Sequence, residues 1–101
     1  MAEVIWTQKA VGQLERIVKY IKEEQGVYYA TLVLNKVLDS TRHLDKHPKM
    51  GQIEFFLEHK KSEYRYLVVW SYKVVYRVTK TRVTVSRVFH TSQNPEKLKT
   101  L

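Results

Sequence analysis

Residues 63–90 read EYRYLVVWSYKVVYRVTKTRVTVSRVFH. Nearly every position is β-branched, aromatic or cationic, and the run divides into three strand-like pieces, 64–70, 73–79 and 82–89, with only a few residues between them. Gaps that short permit hairpins and forbid parallel crossovers, so the stretch predicts a three-stranded antiparallel meander. A two-residue turn at Lys80-Thr81 pairs Thr79 with Arg82. Cross-strand counting then puts Val74, Tyr76, Val78, Val83 and Val85 on one face, the core face. The opposite face carries Lys73, Val75, Arg77, Thr79, Arg82, Thr84, Ser86, Val88 and His90, a set too polar and cationic to be sealed in a small domain. One side of the sheet is therefore expected to be open.

Two features leave the register unsettled. Lys80-Thr81 lacks the Asn-Gly or Gly-Gly chemistry of a favoured two-residue loop, and Arg87 falls on the apolar side by strict parity, which allows a longer turn or a bulge. At Trp70-Ser71-Tyr72, a three-residue turn places Arg65, Leu67 and Val69 on the open face with Arg77. A two-residue turn sends Arg65 toward the helices. The open-face register is preferred, because a buried unpaired arginine costs several kcal/mol.

A chain of 101 residues suits one domain with a single core. It has no cysteine, which excludes disulfides and thiolate metal sites. The sequence shows neither a signal peptide nor an apolar run of about 18 residues, so a cytoplasmic protein without a membrane span is expected. The net charge of +8 favours an anionic partner: nucleic acid, an acidic protein segment or a membrane surface.

Upstream of the meander, Glu3-Val4-Ile5-Trp6 is a short strand and Thr7 an N-cap. A helix follows over 8–25, with Ala10, Val11, Leu14, Ile17, Val18 and Ile21 at helical spacing, and Gly26 stops it. A second helix over 28–46 places Ala30, Val33, Leu34, Val37, Leu38, Thr41 and Leu44 on one face, and His47-Pro48 ends it. Two amphipathic helices with a short link form a hairpin that covers one side of the sheet. Residues 49–63 show no clean period and read as an irregular connection with an extended piece at 53–57. In the tail, Asn94-Pro95-Glu96 predicts a cap and a frayed helical turn over 95–101. The fold class is thus α+β: N-terminal strand, two-helix hairpin, three-stranded antiparallel meander.

Three local patterns in this order carry a family resemblance: Val4-Ile5-Trp6-Thr7 followed by Ala10; His47-Pro48 with Gly51; and Tyr64-Arg65 leading through Tyr72-Lys73-Val74-Val75-Tyr76 to Val88-Phe89-His90. Over nearly the whole chain the sequence resembles the RelE/ParE superfamily of type II toxins, often named plasmid stabilisation proteins. The resemblance implies a toxin held inactive by a cognate acidic antitoxin. It also implies one of two targets. RelE-like members are ribosome-dependent ribonucleases that cleave mRNA, whereas ParE-like members poison DNA gyrase without cutting RNA. The ribonuclease is the preferred expectation, with a gyrase inhibitor or an inactive antitoxin-binding module as alternatives.

A YoeB-like ribonuclease branch uses a glutamate before the meander, arginines on it and a histidine near its end. Glu54, Arg65 and His90 match those positions and are the implied catalytic residues. Thr91 departs from the tyrosine that ends that branch, and the chain continues to Leu101. Metal-free RNA cleavage needs a base for the 2′-hydroxyl, an acid for the leaving oxygen and cations for the phosphoryl charge. Glu54 and His90 suit the first two roles in either order, and Lys73, Arg77, Arg82 and Arg87 are candidates for phosphate binding. On this reading Glu54, Arg65, Arg77 and His90 must converge on one open patch. His43, His47 and His59 have no metal-ligand spacing, and no metal or other cofactor is expected. Tyr64, Tyr66, Trp70, Tyr72 and Tyr76 are read mainly as core or partner-facing aromatics, with base stacking as the functional alternative. Tyr28 and Tyr29 are read as packing or antitoxin contacts, and an apolar groove is expected on the hairpin or a sheet edge.

Overall fold

The computed structural model describes residues 2–57 and 61–93. Strand β1 (Glu3–Trp6) leads into helices α1 (Gln8–Gln25) and α2 (Val27–Arg42) and a 3₁₀ turn at His43–Asp45. After the two-residue strand β2 (Gln52–Ile53) and a second 3₁₀ turn at Phe55–Leu57 come β3 (Glu63–Val69), β4 (Tyr72–Val78) and β5 (Arg82–His90). The expected tail helix at 95–101 lies outside the described residues.

The α+β class and the meander agree with the sequence reading. Thr7 is extended and its Oγ1 accepts from Ala10 N at 3.1 Å, which starts α1. Gly26 stands at φ 98° between the helices and donates to Lys22 O at 3.1 Å. Any side chain there would be strained, so glycine lets one residue end α1 and admit α2. The second helix ends four residues earlier than its periodicity predicts, because the backbone tightens into the 3₁₀ turn that buries Leu44.

Among the described residues five strands lie in the order β1-β5-β4-β3-β2, with β1 parallel to β5. The helix hairpin carries the chain from β1 at one edge to β2 at the opposite edge, and the meander then brings it back beside β1. The helix hairpin's apolar stripes pack on one side of the sheet, where Ala10, Leu14, Ile21, Ala30, Val33, Val37 and Leu44 meet Val69, Val74, Tyr76, Val83, Val85 and Val88. Val74, Tyr76, Val83 and Val85 thus lie on the core face as expected, and Thr79 N donates to Arg82 O at 2.9 Å across the Lys80-Thr81 turn.

Two register points correct the sequence reading. The first is the turn after β3: Val69 pairs with Tyr72, so it spans the two residues Trp70 and Ser71, with Trp70 at φ 55° in the left-handed region. Arg65 therefore pairs with Tyr76 and lies on the helix side, not the open side. The second is a bulge: Tyr76 pairs with Val85 but Val75 pairs with Arg87, leaving Ser86 extra. That residue reverses the parity of everything after it. Arg87 and Phe89 move to the open face, while Val88 and His90 turn to the helix side. Beyond the end of β1, Gln13 Oε1 on α1 accepts from Val88 N at 2.8 Å.

Candidate functional site

On the helix side, the segment around Gly51 is clamped to the sheet. Gly51 N donates to the Oη of fully buried Tyr76 at 2.9 Å, and Arg65 donates through Nη1 to Gly51 O at 2.7 Å. The Arg65 Nε is hydrogen-bonded to Glu63 Oε2, two residues earlier on the same face. This contact holds the Glu63 carboxyl below its ordinary value. Burial pushes the Tyr76 phenol up. A Cβ on Gly51 would lie 2.5 Å from Tyr66 O and 2.6 Å from Tyr76 Oη, which is why only glycine fits. Arg65 is thus engaged in holding backbone. The cost assumed for its burial does not arise, because Glu63 and the carbonyl of Gly51 meet its charge.

His90 also lies on this side, at the far end of β5. Its ring is exposed, stands edge-on to Tyr72 at 5.5 Å and meets Ser92 Oγ through Nδ1 at 2.8 Å. Arg16, Ile17, Tyr20 and Gln93 complete a shallow pocket around it.

The opposite face holds the remaining candidates. Glu54, 2% exposed, pairs through Oε2 with Lys73 Nζ at 2.5 Å, and that ammonium sits 4.2 Å over the ring of Tyr66. Leu57, from the 3₁₀ turn, seals Val75 with flanking contacts from Tyr64, Tyr66 and Phe89. The face expected to be open therefore carries a small apolar cluster of its own. Arg77 and Arg87 are half-buried beside it, and Arg82 is exposed at its edge, paired with Glu3 at 3.2 Å.

The expected convergence does not form. Glu54, Lys73, Arg77 and Arg87 share one face, whereas Arg65 and His90 lie on the other, separated by the sheet itself. Among the described residues no three His, Asp or Glu side chains gather where they could hold a metal ion. None of the described helices is long and apolar enough to cross a membrane.

A groove of about 740 Å³ opens between the two helices, floored by Trp6, Val11, Leu14, Val18, Leu34 and Leu38 and rimmed by Arg16, Lys19, Lys22 and Glu15. The sequence reading anticipated such a groove without naming its residues. The signal was present: the apolar stripe of α1 spans both Val11 and Ile17, wider than one sheet face requires. Tyr28 is largely exposed, and Tyr29 stands 6.0 Å from Trp70, half out in solvent.

The family of ParE toxins of type II toxin-antitoxin systems, parDE, matches residues 4–95. Among solved structures, one described as the chromosomal ParDE TA system from P. aeruginosa superposes with a TM-score of 0.73 over 89% of this chain and 96% of that one, at 18% identity. No characterised protein matches the chain significantly in sequence. With the strand, helix hairpin and mostly antiparallel sheet in the family's order, the chain belongs to the ParE toxins of the RelE/ParE superfamily.

Proposed function

We propose that this protein is the toxin of a two-component pair that acts on DNA gyrase and does not cut RNA. One observation carries the choice: the residues a ribonuclease would need are divided between the two faces of the sheet. Catalytic contacts loosen in a free enzyme and tighten with substrate, but such adjustment does not carry a side chain through a sheet. Arg65 is committed to Gly51 and Glu63, and Glu54 to Lys73 on the opposite face, so the expected arginine and glutamate cannot meet His90 at one phosphate. Membership of the ParE family supports the same reading, since ParE-like members of the superfamily are the gyrase-directed ones.

The antitoxin follows from the groove. Its apolar floor suits one face of an amphipathic helix, and its rim of three cations against one carboxylate suits an acidic segment.

Induction of the chain without its antitoxin, read out for both RNA and DNA, tests the target. DNA breakage and filamentation with intact mRNA is the expected result. Fragmented mRNA with intact DNA, abolished by Arg65→Ala or His90→Ala in a folded chain, would overturn the proposal in favour of the ribonuclease. If neither damage appears, the inactive antitoxin-binding module is the reading that remains.

A further inference from the structure

The shallow pocket beside His90, about 340 Å³, is built where the middle of α1 faces the last residues of β5. Helical spacing brings Arg16, Ile17 and Tyr20 to one side of it, and the bulge at Ser86 turns His90 into it from the other, beside Tyr72. Ile17 and the two tyrosine rings make its walls apolar. Its polar groups are of one kind. Ser92 N donates to His90 Nδ1 at 3.0 Å, so that nitrogen accepts and the ring's proton stands on Nε2. Gln93 Oε1 accepts from His90 N at 3.2 Å, which leaves the Gln93 amide N–H groups to donate. Burial, with the nearby phenols of Tyr29 and Tyr20 adding to it, pushes the Tyr72 phenol up, so its O–H is retained as a donor. Arg16 adds a guanidinium without a carboxylate in ion-pair distance among the described residues, and no described Asp or Glu lines the pocket.

We infer that this pocket binds a small carboxylate borne on an aromatic ring, the carboxylate on Arg16 and the ring between Tyr20 and Tyr72 over Ile17. A cluster of donors without a carboxylate of its own selects an anion, and the guanidinium fork matches the two oxygens of a carboxylate. The His90 ring, with Nδ1 accepting, is neutral, so Arg16 supplies the one full charge among the lining residues. That suits a monoanion better than a phosphate dianion. The volume stands near the lower end for ligand pockets and holds one ring with its substituent, which the tyrosines meet by face or edge. A free aromatic acid and an aromatic residue at the carboxyl end of a peptide present this same chemistry. The pocket adjoins the helix groove only through Arg16, which lines both, and the inference stands whichever macromolecule the toxin disables.

Phenylacetate titrated into the full chain carrying isotope-labelled histidine is the test, read by NMR at the ring signals of His90, which His90→Gln identifies. Those signals should shift and saturate at about 1 mM or below, while the rings of His43 and His47 stay unmoved. Phenylacetamide, which lacks the charge, and acetate, which lacks the ring, should each bind at least about tenfold more weakly. At exposed positions, Arg16→Gln should weaken phenylacetate by at least about tenfold and Tyr20→Ala by about threefold, whereas Lys36→Gln should leave it unchanged. Thermal melting of each variant confirms that it is folded. A pentapeptide ending in phenylalanine separates the two sources. Binding tighter than that of phenylacetate, and lost when the terminus is amidated, upholds the inference with a peptide end as the ligand; weaker binding upholds it with a free acid. No shift at His90, phenylacetamide binding as tightly as phenylacetate, a peptide indifferent to amidation, phenyl phosphate binding about tenfold more tightly than phenylacetate, or equal losses in Arg16→Gln and Lys36→Gln would each overturn the inference.

Discussion

Lys73→Met tests whether Glu54 is part of the architecture or of a reaction. Glu54 is 2% exposed and the Lys73 side chain 16%, so the substitution leaves a carboxylate buried with its cation removed. Breaking a buried pair from one side costs about 3–5 kcal/mol. The residual exposure of Lys73 argues for the lower end, about 3 kcal/mol, because some water already reaches the pair. In a domain of this size that lowers Tm by roughly 12–24 °C. Replacing both partners, Lys73→Met/Glu54→Met, should recover most of the loss, since apolar groups of similar volume remove the desolvation penalty together with the attraction. Urea unfolding of the native chain, both single variants and the double variant closes the cycle. A loss below about 1 kcal/mol in Lys73→Met, or a double variant no more stable than the single ones, would refute the reasoning.

Three further outcomes follow from the geometry. Gly51→Ala should destabilise by about 2–4 kcal/mol, because its Cβ must displace Tyr66 O or Tyr76 Oη; Tyr76→Phe, which leaves the Gly51 N–H unsatisfied, should cost about 1–2 kcal/mol, and denaturant midpoints would expose equal or negligible losses. Glu63 is held below its ordinary 4.5 chiefly by its hydrogen bond to Arg65, so its contribution is present above about pH 4.5 and is lost as the pH falls through its folded value; Arg65→Ala should flatten the stability curve on that acid side, and an unaltered slope would count against the clamp. Val11→Glu, at a half-exposed position in the groove, should leave melting nearly unchanged yet weaken capture of the antitoxin by roughly 10–100-fold in calorimetric titration, and an undiminished affinity would place the antitoxin elsewhere.

Much of the architecture was readable from periodicity and composition. The Thr7 cap, the Gly26 break, the stripes of Leu14, Ile21, Val33 and Val37, and the core face of Val74, Tyr76, Val83 and Val85 all follow from local spacing. The site was less legible, because its assembly turned on two single-residue events. A tryptophan occupies the left-handed position at Trp70, where turn chemistry favours glycine or asparagine, and this shortened the turn and carried Arg65 across the sheet. The bulge at Ser86 carried His90 the same way and brought Arg87 to the other side. The ambiguity of both turns was visible in the residues, but its resolution was not.

What the sequence by itself determined is the set of elements, their order and which residues are too apolar to remain in water, since helix and strand periods and caps are set within a few neighbouring residues. Only the tertiary structure decided which charges meet. Glu54 finds Lys73, Arg65 finds Glu63 and the Gly51 carbonyl, and Arg77 and Arg87 are left adjacent without an acid among the described residues. Those outcomes depend on strand parity, and in a sheet of period two a shift of one residue exchanges the two faces.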